Sequence, residues 1–223
     1  MIMITGASSG LGAALAFEYA KDNAHLFLTG RNTRRLQQIA TQLTSHQAVH
    51  TYTADLSHYE DIAQLFDALP CMPTCLIHCA GSGLFGPIET QDPTQIKQLI
   101  DDNVTACIYV IQEAIKRFKD KPMTLAIVMS SAANTAKTNE STYCAVKWAI
   151  KGFLNALKLE LKTSPIKIVA VYPGGMNTDF WSTSGTHLNT SAFMEASEAA
   201  SMLKQALLST EKGYISEISI DRG

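Results

Sequence analysis

Short apolar runs alternate with longer helix-forming stretches along all 223 residues of this chain, and that alternation limits what it can fold into. The runs IMIT (2–5), AHLFLTG (24–30), AVHTYT (48–53), TCLIHCA (74–80), MTLAIVMS (123–130), IKIVAVYP (166–173) and GYISEISI (213–220) read as strands. Between them, residues 10–22, 32–45, 58–69, 92–119, 141–163 and 195–210 read as helices. The strand runs are continuous rather than alternating, which suits strands covered on both faces. Strand–helix–strand alternation implies right-handed crossovers and a parallel sheet.

Seven such strands and six helices predict an α/β fold. A doubly wound, Rossmann-type parallel sheet would carry helices on both faces, in one domain spanning 1–223. Composition agrees: 46% of residues are hydrophobic and 17% charged, enough apolar material for a large core. The net charge of −2 gives no basic excess to hold nucleic acid. No apolar run approaches the roughly 20 residues that span a bilayer. The opening MIMITGASSG lacks the basic start and apolar stretch of a signal peptide, so a cytoplasmic, membrane-free protein is expected. The five cysteines are odd in number, which argues against a disulfide framework. Cys71, Cys75 and Cys79 are evenly spaced, but strand residues four apart lie about 13 Å from each other, too far to share a metal ion. No metal site is expected, and the thiols are read as reduced.

In open α/β sheets ligands sit beyond the carboxyl ends of the strands. The first strand runs directly into Thr5-Gly6-Ala7-Ser8-Ser9-Gly10-Leu11-Gly12 and then a helix. Such a glycine-rich turn lets the backbone approach a pyrophosphate, and the helix N-terminus offers free N–H groups and a favourable dipole. The sequence therefore points to a dinucleotide. The second strand ends Thr29-Gly30-Arg31, without the acid that usually binds an NAD ribose. A guanidinium there suits a 2′-phosphate, so NADP(H) is the expected cofactor, with NAD(H) admitted and Arg34 or Arg35 as helpers. Asp55-Leu56 follows the third strand: Asp55 either accepts from an adenine amino group or caps the next helix. Small Ala80-Gly81 after the fourth strand would let the backbone pass close to the cofactor.

The helix at 141–163 carries Tyr143 and Lys147 four residues apart, on one face and about 5–6 Å from each other. Together with the glycine turn, Ala80-Gly81, Asn103, a serine after the fifth strand, and Pro173-Gly174 with Thr178, this pair resembles the short-chain dehydrogenase/reductase family across essentially the whole chain. Tyrosine ordinarily titrates near 10, so a neighbouring ammonium that favours the phenolate would fit it for proton exchange. The resemblance implies an NADP(H)-dependent oxidoreductase that interconverts a small carbonyl compound and its secondary alcohol. Tyr143 would be its general acid and base. Lys147 would also bind the nicotinamide ribose, and Asn103 would hold a water that relays protons to Lys147. Pro173, Gly174, Met176 and Thr178 would meet the nicotinamide.

Two serines compete to orient the substrate oxygen. The family's usual gap of thirteen residues to the tyrosine selects Ser130. The small residues that follow select Ser131, which is the expectation adopted. The family keeps its substrate lid where this chain has 175–195, with Phe180, Trp181, His187 and Phe193 as the larger contacts. Ser82 to Phe85 and Asn134 to Ser141 would complete the walls. The family's Asn-Asn-Ala-Gly is here His78-Cys79-Ala80-Gly81, which leaves the local bracing of the sheet open; His78 reads as a buried histidine rather than an added acid or base. A homodimer or homotetramer is implied by the resemblance. The rival on the same fold is a non-catalytic NADP(H)-binding sensor or regulator.

Overall fold

The structure is a computed structural model that describes residues 1–43, 48–186, 188–208 and 213–222. The chain order is β1 (Ile2–Thr5), α1 (Gly10–Ala20), β2 (Leu26–Gly30), α2 (Thr33–Leu43), β3 (Val49–Thr53), α3 (Tyr59–Asp67) and β4 (Cys75–His78). It continues with α4 (Pro93–Ile100), α5 (Ala106–Phe118), β5 (Met123–Val128), α6 (Ser141–Glu160) and β6 (Ile166–Pro173). After the short β7 (Met176–Asn177), α7 (Phe180–Thr183) and β8 (Met194–Glu195) come α8 (Ala196–Ala206) and β9 (Glu217–Ile220). Seven strands form one parallel sheet in the order β3-β2-β1-β4-β5-β6-β9. The order reverses between β1 and β4, which opens the crevice where such sheets bind ligands.

Side chains of successive strand residues point to opposite faces, so a continuous apolar run feeds two cores. Met3, Leu76, Leu125, Ile127 and Ile168 join the core beneath α3, α5 and α6. Their neighbours Ile4, Ile77, Ala126 and Val169 join the core beneath α1, α2 and α8. The edge strands differ. In β3 the sequence VHTYT leaves several side chains in solvent, and in β9 EISI alternates exposed with buried.

Two expected elements change shape. Residues 213–216 lie outside β9, so the last strand is half its expected length. The last residues of the helices expected at 32–45 and 195–210 fall outside the described residues, as does His187. The single helix expected at 92–119 is broken. Asp92 caps α4 by accepting from the Thr94 and Gln95 N–H groups, ahead of Pro93 at the first helical position. One wide π turn, Asp101–Thr105, then separates α4 from α5, and the Ala106 N–H reaches back five residues to the Asp101 carbonyl. The cause is local. The Asn103 side-chain amide donates to the Leu99 carbonyl at 2.9 Å, the group its own backbone N–H would bond in a regular helix.

All five cysteines are free. Among the described residues, no cluster of His, Cys, Asp or Glu is placed to hold a metal, and no helix is long and apolar enough to cross a membrane.

Candidate active site

A cleft of about 1260 Å³ runs along the carboxyl ends of the strands, from the start of α1 to Tyr143. Its floor at one end is the β1–α1 turn. Gly6 has φ +66°, and a Cβ there would stand 2.7 Å from the Ala80 backbone nitrogen, so the turn can lie against the end of β4 only as glycine. Ser8, Ser9, Gly10, Leu11 and Gly12 line the cleft beside it. The first turn of α1 carries no acidic side chain, so its N–H groups and dipole face the cleft uncompensated.

Arg31, Asp55 and Leu56 line the next stretch, as expected; Arg35 joins them. The Arg31 guanidinium is not free. Its Nη1 and Nη2 donate to the two oxygens of Asp102 at 2.8 and 3.2 Å. Asp102 escaped notice in the sequence because its partner lies 71 positions away. Asp55 does not cap α3. Its Oδ1 closes a turn by accepting from the Ser57 N–H and hydroxyl at 3.0 and 2.7 Å, while His58 occupies the cap position of α3. Burial pushes the Asp55 carboxyl up, but the Ser57 bonds, with Arg31 and His58, hold it below its usual range.

At the other end α6 presents Tyr143 and Lys147, both buried. Lys147 Nζ donates to Asn103 Oδ1 at 2.8 Å and lies 5.4 Å from the centre of the Tyr143 ring. Asn103 Nδ2 is fixed by the carbonyls of Ser82 and Leu99 at 3.0 and 2.9 Å. The π turn therefore delivers the Asn103 carbonyl directly to the ammonium. Gly81 keeps the approach open, since a Cβ there would stand 2.8 Å from Asn103 Oδ1 and 3.5 Å from Lys147 Nζ.

The two serines stand differently around Tyr143: Ser130 is the one close enough to oppose the rise of the Tyr143 phenol. Ser130 is extended, with φ −174°, and caps the short 3₁₀ turn Ser131–Ala133 by accepting from the Ala132 N–H at 3.1 Å. Ser131 begins that turn, also lines the cleft, and accepts from Lys137 Nζ at 3.1 Å.

The expected lowering of the Tyr143 hydroxyl does not hold in this state. Burial raises it, and the Ser130 hydrogen bond only partly opposes that. Lys147 moves instead: burial lowers it from 10.5 to about 8, against a weaker upward pull from Cys107. His78 settles the question of the missing asparagines. Its Nδ1 bonds to the Thr5 hydroxyl at 2.9 Å, a brace between the paired residues of β1 and β4. Burial and the nearby Lys147 lower it to about 3, which keeps it neutral.

Aromatic rings close over Tyr143. Phe85 meets it edge-on at 5.2 Å between ring centres, and Phe180 lies 5.9 Å away. Trp181 stacks on Phe85 at 5.4 Å and meets Phe193 at the same distance. The Trp181 indole N–H donates to the Met176 carbonyl at 2.9 Å, which orients the ring. Pro173, Gly174, Met176 and Thr178 line the cleft between these rings and the phosphate turn.

The sequence profile of the short chain dehydrogenase family matches residues 1–189. This chain belongs to the short-chain dehydrogenase/reductase family. The family is one of oxidoreductases with nicotinamide cofactors, and structural neighbours of the chain bind NADP(H) or NADH. A short-chain dehydrogenase/reductase from Vibrio parahaemolyticus is 44% identical, with each chain fully covered and a TM-score of 0.91. A short-chain dehydrogenase from Sphingobium yanoikuyae, solved in complex with NADPH, is 27% identical over 99% of this chain and 86% of its own, with a TM-score of 0.86. The 3-dehydrosphinganine reductase TSC10B of Arabidopsis thaliana is 27% identical over 183 residues, which cover 79% of this chain and 55% of the relative. Other curated relatives are also longer, and this short-chain dehydrogenase/reductase spans as little as 37% of one of them.

Proposed function

We propose that this chain is an NADP(H)-dependent oxidoreductase that interconverts a small carbonyl compound and its secondary alcohol. One observation carries the reading: Ser130, Tyr143, Lys147 and Asn103 meet at one end of a cleft whose other end is the bare N-terminus of α1. The residues fit a dinucleotide. Gly6 keeps the β1–α1 turn close to β4, α1 offers uncompensated N–H groups, and the Arg31 guanidinium lining the cleft suits a 2′-phosphate. The NADPH complex of the Sphingobium relative supports the same cofactor.

The cofactor, when bound, supplies the hydride; the chain supplies position, charge and the proton. Burial keeps Tyr143 protonated in the free protein, the state a general acid needs when a carbonyl is reduced. Ser130 hydrogen-bonds the substrate oxygen and steadies the charge that develops on it. Lys147, held by Asn103, keeps a positive charge beside the phenol below about pH 8 and stabilises the phenolate left by proton transfer. His78 takes no proton near neutrality and braces the sheet.

Residues 175–195 act as the substrate lid, with Phe180, Trp181 and Phe193 giving the site apolar, ring-lined walls that favour flat apolar carbonyl compounds. The Arabidopsis relative, by name a reductase, belongs to the same reaction class. The exposed Trp148 and Leu159 on α6 support a homodimer built on that helix. The test is a panel of aliphatic and aryl carbonyl compounds with NADPH and with NADH, followed by loss of nicotinamide absorbance. Wild type should turn over aryl members with NADPH, and Tyr143→Phe should bind the cofactor but lose at least about 100-fold in kcat. Turnover that survives in Tyr143→Phe would exclude the mechanism; dinucleotide binding with no turnover of any member would favour a sensor.

A further inference from the structure

Two arginines line the adenosine end of the cleft, and each faces an aspartate. Arg35 and Asp179 lie 3.7 Å apart with half or more of each side chain in solvent, so that pair carries little energy. The Arg31 pair is built differently. Both prongs of its fork engage Asp102, at 2.8 and 3.2 Å, and Gln98 Nε2 adds a third bond to Asp102 Oδ1 at 2.8 Å. Asp102 is 7% exposed, whereas Arg31 is 53% exposed and reaches into the cleft.

We propose that Asp102 is a positioning residue that sets cofactor selectivity: by holding the Arg31 fork it restrains the preference for a 2′-phosphorylated dinucleotide and keeps NAD(H) a workable second cofactor. This rests on the cleft being the nicotinamide dinucleotide site proposed above. A guanidinium recognises phosphate through paired donors in one plane, and two of those of Arg31 are spent on Asp102. A 2′-phosphate, with a charge near −2, must either take these donors or share them. Taking them strands a carboxylate that is almost out of water. Sharing them divides one guanidinium between two acceptors and weakens its hold on each. Either cost falls on the phosphorylated cofactor alone, because the neutral 2′-hydroxyl of NAD(H) leaves the pair intact. The signature is therefore a change in the ratio of two affinities. A merely structural role for Asp102 would move both together.

The experiment titrates the full chain with NADP⁺ and with NAD⁺ by calorimetry. Wild type, Asp102→Asn, Arg31→Ala and the double variant are compared. Asp102→Asn should raise the NADP⁺-to-NAD⁺ affinity ratio by about tenfold while NAD⁺ affinity changes less than about twofold. Arg31→Ala should lower the ratio, and in that background Asp102→Asn should no longer raise it. Should the asparagine variant fail to fold, Asp102→Ala removes the same charge and must shift the ratio in the same direction. A ratio that stays constant or falls in the charge-removing variant, or a rise that persists without Arg31, overturns the proposal. A wild type that binds neither dinucleotide overturns it together with the reading of the cleft, whereas binding with an unchanged ratio overturns this proposal alone.

Discussion

Replacing Lys147 by methionine should stabilise the protein at neutral pH while destroying its activity. Lys147 is 7% exposed, and burial lowers its ammonium from 10.5 to about 8. The folded value is depressed, so the unfolded chain binds the proton more tightly. Stability is then fully present above 10.5 and is lost as pH falls through about 8. That fall is worth about 3 kcal/mol in all, and about 2 kcal/mol between pH 7 and pH 9.5. Methionine keeps most of the stem and removes the charge, but it strands the buried Asn103 Oδ1, which costs about 1–2 kcal/mol. The net expectation at pH 7 is a gain of about 1–2 kcal/mol for Lys147→Met. Urea unfolding at both pH values measures it, since groups common to both proteins cancel in the difference. Wild type should gain about 2 kcal/mol on the variant between pH 7 and pH 9.5. Parallel stability curves for the two proteins would refute the claim that Lys147 is held against its desolvation cost.

Ser130→Ala should lower kcat/KM for a carbonyl substrate by about 100-fold and Ser131→Ala by less than about threefold, read from steady-state rates; the opposite order would restore Ser131 to the site. Gly6→Ala combines a positive φ with a Cβ 2.7 Å from the Ala80 backbone, so urea unfolding should show a loss of at least about 2 kcal/mol, together with weaker dinucleotide binding. Phe180→Ala removes one of the rings against Tyr143 and should raise KM for aryl carbonyl substrates about tenfold, with a much smaller effect on short aliphatic ones.

What could be read from the sequence and what could not divide along physical lines. The strand runs announced a two-sided sheet because each consecutive pair, such as Met3 and Ile4, must feed opposite cores. The β1–α1 turn was legible because close backbone approach demands glycine, and Gly6 stands where that demand is absolute. Tyr143 and Lys147 were legible because helix geometry fixes their spacing. Ser130 and Ser131 were not separable: which of two adjacent serines neighbours Tyr143 depends on the short turn that begins at Ser131. The upward push that burial gives Tyr143 in the free protein was not legible, because it depends on packing by Phe85 and Phe180 that local spacing does not reveal. Asp102 was invisible for the same reason, since its meaning lies in Arg31, 71 positions away.

The π turn at 101–105 shows why the break in the helix belongs where it is. In one widened turn, Asp102 grips Arg31, and the next residue, Asn103, holds Lys147 beside Tyr143. The irregularity costs an ordinary backbone hydrogen bond, and the Asn103 amide offsets that by bonding the Leu99 carbonyl. The same side chain thus loosens the helix, repairs the loss and fixes the ammonium with its remaining oxygen. A leucine at 103 could restore the regular helix but would leave Lys147 buried without its partner. Local helical order and the electrostatics of the cleft therefore compete at this one position, and the fold yields the helix to the site.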